Sequence, residues 1–272
     1  MKMMRYLVGL LAIALMIAAP AFAHDSWIEI SPALIEKGQP VSVQMMLGNH
    51  SNQHRSFRIA GKWAPQYTKL SVIDPKGNES EITSQLVDLG EDEEKVPPKG
   101  IKGFYMAPFT PKEEGLHLVL AKEERILQHG DGPKFRSIKL AKNAFGAFSA
   151  PTVSAARNLK GFDRASGVEQ SLEIIPLTNP LGVYAGGSIT LEIRHKGKPA
   201  SGKVVSLLQR MEGAASVVDL TTNDRGRVTF NVPKPDLYLT RVKLDEDGEK
   251  IEGQYEKSTY EATFVFPVFN RP

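Results

Sequence analysis

Apolar and polar residues alternate in short runs along most of this chain. Trp27, Ile28 and Ile30 open the pattern, and Val41, Val43 and Met45 continue it until Met45, Met46 and Leu47 run together. A period of two sends successive side chains to opposite faces, which predicts strands half-buried against a core. Gly115 to Leu120 and Phe135 to Leu140 repeat the signal. Turn chemistry separates the runs at Glu36-Lys37-Gly38, Asp74-Pro75-Lys76-Gly77-Asn78 and Val96-Pro97-Pro98-Lys99-Gly100. Only Ala150 to Leu159, which carries Pro151, admits a helical turn or two.

From residue 141 to about 168 small residues, Asn, Gly and Ser dominate, which predicts a connector or a surface-crossing segment. Alternation then resumes at Ser171 to Leu177 and is cleanest at Ser188 to His195. Lys196-Gly197-Lys198-Pro199 turns the chain, and Lys203 to Leu208, Val228 to Phe230, Tyr238 to Leu244 and Tyr260 to Phe266 supply further strands. "GKPASGKVV" followed by "TNDRGRVTF" resembles the transthyretin-like or carboxypeptidase-regulatory-like sandwich, a likeness that speaks to fold and says little about function. The expected architecture is all-β: two β-sandwiches, immunoglobulin-like or transthyretin-like, in series. The first spans 24–145, a connector 146–168, and the second 169–272.

The front of the chain reads differently. Lys2 and Arg5 precede an uncharged apolar run from Leu7 to Ala19, and Ala21-Phe22-Ala23 has the small-x-small pattern of a signal-peptidase site. The run is short for a membrane helix, which needs about 20 residues. Residues 1–23 are therefore expected to be a removed secretory signal, and the mature chain to be periplasmic without a membrane span. The runner-up is an uncleaved anchor. The sequence holds no Cys, which excludes disulfides, lipoprotein anchoring and thiolate metal sites. Removing Lys2 and Arg5 leaves 32 basic against 31 acidic residues, so no nucleic-acid partner is expected. The acidic run Glu91-Asp92-Glu93-Glu94 reads as a solvated loop.

Six histidines then carry what metal chemistry the chain has. If cleavage follows Ala23, His24 becomes the amino terminus, and its α-amine and Nδ1 can close a six-membered ring on one cation. An amine pKa near ~8 lets a metal displace its proton at neutral pH. The alternative is that His24 merely marks where cleavage fell. His50 and His54 share the polar loop Gly48-Asn49-His50-Ser51-Asn52-Gln53-His54, where two imidazoles can bend toward one point or decorate a surface turn. His129 lies in the turn Gln128-His129-Gly130-Asp131-Gly132. His117, within a strand, and His195, at a strand end, read as structural.

Taken together, "AHDSW", "LGNHSNQHRSF", "QHGDGPKFRSIKLAK" and "LEIIPLTNP" resemble a family of bacterial secreted proteins of unknown function, some described as periplasmic components of nickel or cobalt uptake systems. The resemblance covers essentially the whole mature chain. It implies a metal-binding protein that supplies a membrane transporter, with His24, His50, His54 and His129 as ligands. It also matches Arg136-Ser137-Ile138-Lys139, whose chemistry it leaves unassigned, and usually shows an aromatic residue at position 117. Nitrogen ligands suit nickel, cobalt and copper, and zinc is possible; copper would bind most tightly by intrinsic order, so the sequence does not select among them. Asp25 or Glu29 would complete the shell or orient a ring.

No Gly-x-Ser-x-Gly elbow, Cys nucleophile, His-Glu-x-x-His helix or phosphate-binding glycine loop is present, so no enzyme activity is expected. An oxidative copper enzyme would need an open coordination position and an aromatic substrate surface, for which the sequence offers no stretch. The alternative to metal binding is a cell-envelope structural or protein-interaction module.

Overall fold

The computed structural model describes residues 24–49, 58–90, 103–164, 171–211 and 214–271. The expected signal at 1–23, His50, His54 and the acidic run at 91–94 lie outside the described residues. In chain order the strands are β1 (Asp25–Ser31), β2 (Leu34–Glu36), β3 (Val41–Asn49), β4 (Arg58–Gly61), β5 (Thr68–Ile73) and β6 (Glu79–Glu81). They continue as β7 (Val87–Asp88), β8 (Tyr105–Phe109), β9 (Gly115–Leu127) and β10 (Phe135–Phe148). After one short helix, α1 (Val153–Arg157), come β11 (Leu172–Pro176), β12 (Gly187–His195), β13 (Lys198–Pro199), β14 (Val204–Met211) and β15 (Ala214–Thr221). The last are β16 (Arg227–Val232), β17 (Asp236–Glu246) and β18 (Lys257–Val268). The chain is all-β and sandwich-like, as its alternation predicts.

A long sheet organises the molecule. Its strands run β15-β14-β17-β18-β10-β9-β5-β6, with β2 added on β10. The joint between the halves is a parallel pairing of β10 with β18, from Phe135 opposite Lys257 to Lys142 opposite Phe264. The expected boundary at 145/146 therefore falls inside β10. Residues 141–148 are strand rather than connector, because Ala141, Ala144 and Ala147 sit buried in a strand covered on both faces, where small residues admit close neighbours.

A second sheet, β1-β3-β8-β7 with β4 beside β3, covers one face of the long sheet. Ile28, Val43, Met45 and Trp63 pack there against Leu70, Val119, Ala141 and Phe145. A third, β11-β12-β13 with β16 beside β12, covers the opposite face farther along. There Ile174, Leu191, Ile193 and Phe230 meet Ile138, Leu140, Leu207, Phe264 and Phe266. Even and odd residues of β10 thus serve different cores. Between β10 and β11 the buried Lys142 Nζ meets Glu173 Oε1 at 2.5 Å.

β1 is an edge strand, and an exposed edge is a liability unless something covers it. The face of the long sheet does so. Asn143 Nδ2 donates to the Ile28 carbonyl at 2.8 Å, Thr263 Oγ1 to the Ser26 carbonyl at 2.6 Å, and Glu261 Oε1 accepts from the Ser26 N–H at 2.7 Å. Trp27, with Met46, packs against Leu208, Leu239 and Val265 on the same face.

Candidate functional site

Registers across β9, β10, β18 and β17 set residues in rows on one face of the long sheet, polar in the first two and largely apolar in the third. Glu123, Lys139, Glu261 and Lys243 form one row; Arg125, Ser137, Thr259 and Asp245 form the next; Leu127, Phe135 and Lys257 form the third. The first row alternates in charge, which favours cross-strand pairing. Glu123 lies 3.0 Å from Arg125 Nε, Lys243 Nζ 3.0 Å from Glu261 Oε2, and Lys257 Nζ 3.4 Å from Asp245.

The start of β1 is fixed to this face by a buried ionic network. Asp25, 1% exposed, receives Arg241 Nη1 at 2.6 Å on Oδ2 and Lys243 Nζ at 2.7 Å on Oδ1. Ser26 Oγ donates to Glu261 Oε1 at 2.5 Å. Burial by itself would lower the Lys243 pKa, yet Glu261 and Asp25 outweigh it and hold the ammonium above its usual value. Asp25, expected to complete the shell or orient a ring, anchors β1 through these two cations. Glu29 accepts from Trp27 Nε1 at 2.9 Å.

Just before this anchor stands His24. It lines a cavity of about 710 Å³ together with His129, Leu127, Phe135, Lys139 and Tyr260. Desolvation at the cavity wall, reinforced by the nearby charge of Lys139, lowers the His24 imidazole below its usual range, so the ring is neutral at pH 7. His129 is held by the β9–β10 turn: the Gly132 N–H donates to its carbonyl at 3.0 Å, and its ring lies 5.1 Å from that of Phe135. Leu47 and Gly61 also line the cavity. Gly48 pairs with Asp25, and Asn49 with Arg58, so the two strand ends that bracket the 50–57 segment stand beside His24.

The structure thus places His24 and His129 on one cavity. Among the described residues no three His, Asp or Glu side chains come together closely enough to hold a metal ion. His117 and His195 lie elsewhere. His117, 1% exposed, stacks on Phe145 at 4.8 Å between ring centroids; His195 Nδ1 is 3.3 Å from Glu246 and meets Tyr260 edge-on at 5.1 Å. Of the Arg136-Ser137-Ile138-Lys139 segment, the last three line the cavity, while Arg136 is turned to Glu124, with Nη2 at 2.6 Å from its Oε1. Lys243, Arg241 and Glu261 carry no mark in the sequence pattern. The signal available for Lys139 was its place in that matching segment.

A family model described as a domain of unknown function, DUF4198, matches residues 21–246. The chain belongs to this family. The match takes in His24, His50, His54, His129, Lys139 and Lys243, and stops before β18 and Glu261. No curated protein matches the chain. Among solved structures this DUF4198 chain is similar to the tetra-tandem repeat in the extending region of a large adhesion protein: 10% identity, TM-score 0.23, covering 90% of this chain and 49% of that one. It is similar to a Salmonella alpha-2-macroglobulin mutant at 14% identity and TM-score 0.24, covering 92% of this chain and 15% of that one. A two-domain fibronectin type-III segment from chicken tenascin gives 11% identity and TM-score 0.21, with 89% and 97% covered.

Proposed function

We propose that the chain is a periplasmic protein that binds a divalent transition metal and delivers it to a membrane transporter, with nickel or cobalt the favoured cargo and copper or zinc the alternatives. The observation that carries this reading is that His24 and His129, far apart in sequence, line one cavity, with the strand ends that lead to His50 and His54 beside them. Removal of residues 1–23 would give His24 a free amine, so that one residue supplies two nitrogen donors. A neutral imidazole needs to lose no proton to bind. Asp25 and Glu261 are bound by Arg241, Lys243 and Ser26, and Asp245 on the cavity wall meets Lys257 at 3.4 Å, which favours the nitrogens as ligands.

Equilibrium titration of the processed protein with Ni²⁺ and Co²⁺ tests this. His24→Ala is expected to abolish tight binding, His129→Ala to weaken it, and His195→Ala to leave it unchanged. Equal affinity in all three variants would overturn the reading.

A second reading, an envelope interaction module, is favoured by β15 at the edge of the long sheet. Val218 and Leu220 on it, and Val204 on β14, are exposed. Absence of any saturable divalent binding would support it.

A further inference from the structure

Away from the cavity, a second concave surface of about 440 Å³ lies between α1, the 3-10 turn Pro180–Gly182 and the chain after β18. Arg157 and Arg271 both line it, and among the described residues no acidic side chain does. Two guanidiniums that share a hollow repel each other unless an anion joins them.

Both are held in place by adjacent residues. Arg157 Nε donates to Tyr184 Oη at 2.6 Å, and its guanidinium lies 4.3 Å from the centre of that ring. Arg271 Nε donates to the Ala185 carbonyl at 3.0 Å. Backbone hydrogen bonds also tie the segment down. The Gly187 N–H donates to the Tyr184 carbonyl at 2.8 Å, and the Phe269 carbonyl accepts from Ala185 N–H at 2.9 Å. Gly186 has φ +79, a conformation that favours glycine, and the Arg271 guanidinium lies beside it. Among the described residues each arginine is tethered through Nε, and its terminal N–H donors face the hollow without a hydrogen bond.

We infer that this hollow binds a small organic oxyanion, a carboxylate or a phosphate ester, between Arg157 and Arg271. Arginine's planar fork matches such groups in paired hydrogen bonds. The exposed Ser188 and the half-buried Thr178 add hydroxyls at the wall. At roughly 30 Å³ per water the volume exceeds that of an isolated inorganic ion, and it falls within the range of small-molecule sites. The inference stands apart from metal binding and does not need it.

The test is calorimetric titration of the protein purified from its full-length gene with citrate, with glycerol 3-phosphate and with glycerol. Saturable binding of at least one anion and none of glycerol is expected, and the preferred anion identifies the oxyanion type. Arg271→Gln should weaken binding by about tenfold or more, the effect of losing hydrogen bonds to a charged group. Ser188→Glu, which sets a carboxylate in the hollow and keeps both arginines, should abolish it. No saturable binding of either anion, or unchanged affinity in Ser188→Glu, would overturn the inference.

Discussion

Replacing Asp25 by Asn would remove the negative charge between Arg241 and Lys243 while keeping the shape of the side chain. The carboxylate is fully buried, but the two cations keep 17% and 22% of their side-chain surface in water, and Lys243 retains Glu261. Breaking a fully buried pair costs about 3–5 kcal/mol, whereas an exposed pair is worth about 1 kcal/mol or less. The partial hydration of the cations places the expected cost between these, at about 2–3 kcal/mol. For a chain of this size that lowers Tm by about 4–12 °C. Thermal unfolding followed by tryptophan fluorescence suits the measurement, because the sequence holds two tryptophans, Trp27 and Trp63, and both are buried where the second sheet meets the long one. Adding Lys243→Met to Asp25→Asn should cost less than the sum of the single changes, by about 1 kcal/mol or more for groups in direct contact. A Tm loss under about 2 °C, or strict additivity, would refute the anchoring role of this network.

Lys142→Met removes the buried ammonium that meets Glu173 and should destabilise the chain by about 1.5–3 kcal/mol, the worth of a hydrogen bond to a charged group, measured by chemical denaturation. Tyr260 is pushed up to about 12 by burial and by its hydrogen bond to Glu249. Because its folded pKa lies above the unfolded value, the stability it contributes is complete below pH 10 and is lost as pH rises through about 12. Glu249→Gln should move the latest tyrosine in an ultraviolet titration to lower pH; an unmoved midpoint would reject the pairing. Glu249 itself is held down at about 2: burial opposes this, but Lys196 and Tyr260 hydrogen bonds outweigh it, so its contribution is present above pH 4.5 and disappears as pH falls through about 2. His117→Phe should change stability by no more than about 1 kcal/mol, since burial already disfavours the charged ring and only a 3.3 Å contact with the Gly115 carbonyl is lost. Metal titration should read the same in that variant.

Strands were legible wherever one face is buried and the other is not. In β12, Ile189, Leu191 and Ile193 are buried as their alternation predicts. The end of β10 was not legible, because a strand enclosed by two cores carries small residues instead of an alternating pattern, and 141–148 therefore resembled a connector. The pairing of β10 with β18 was also hidden, since a parallel register between segments so distant leaves no local mark. The same holds for the network at Asp25, whose arginine partner lies 216 residues away. His24 and His129 stood out because loops and chain starts offer few packing reasons for an imidazole. Their common cavity depends on β1 crossing the face that the β9–β10 turn closes, which is a property of topology.

The amino-terminal chelate is the centre of the functional proposal, and one comparison addresses it directly. Protein whose first residue is shown by mass spectrometry to be His24 is titrated calorimetrically with Ni²⁺ and Co²⁺ beside a form carrying one extra Ala before His24. The extension keeps every side chain and moves only the amine. Tight binding by the first form and its loss in the second is the predicted result; equal affinity in the two, or no binding by either, would contradict the account.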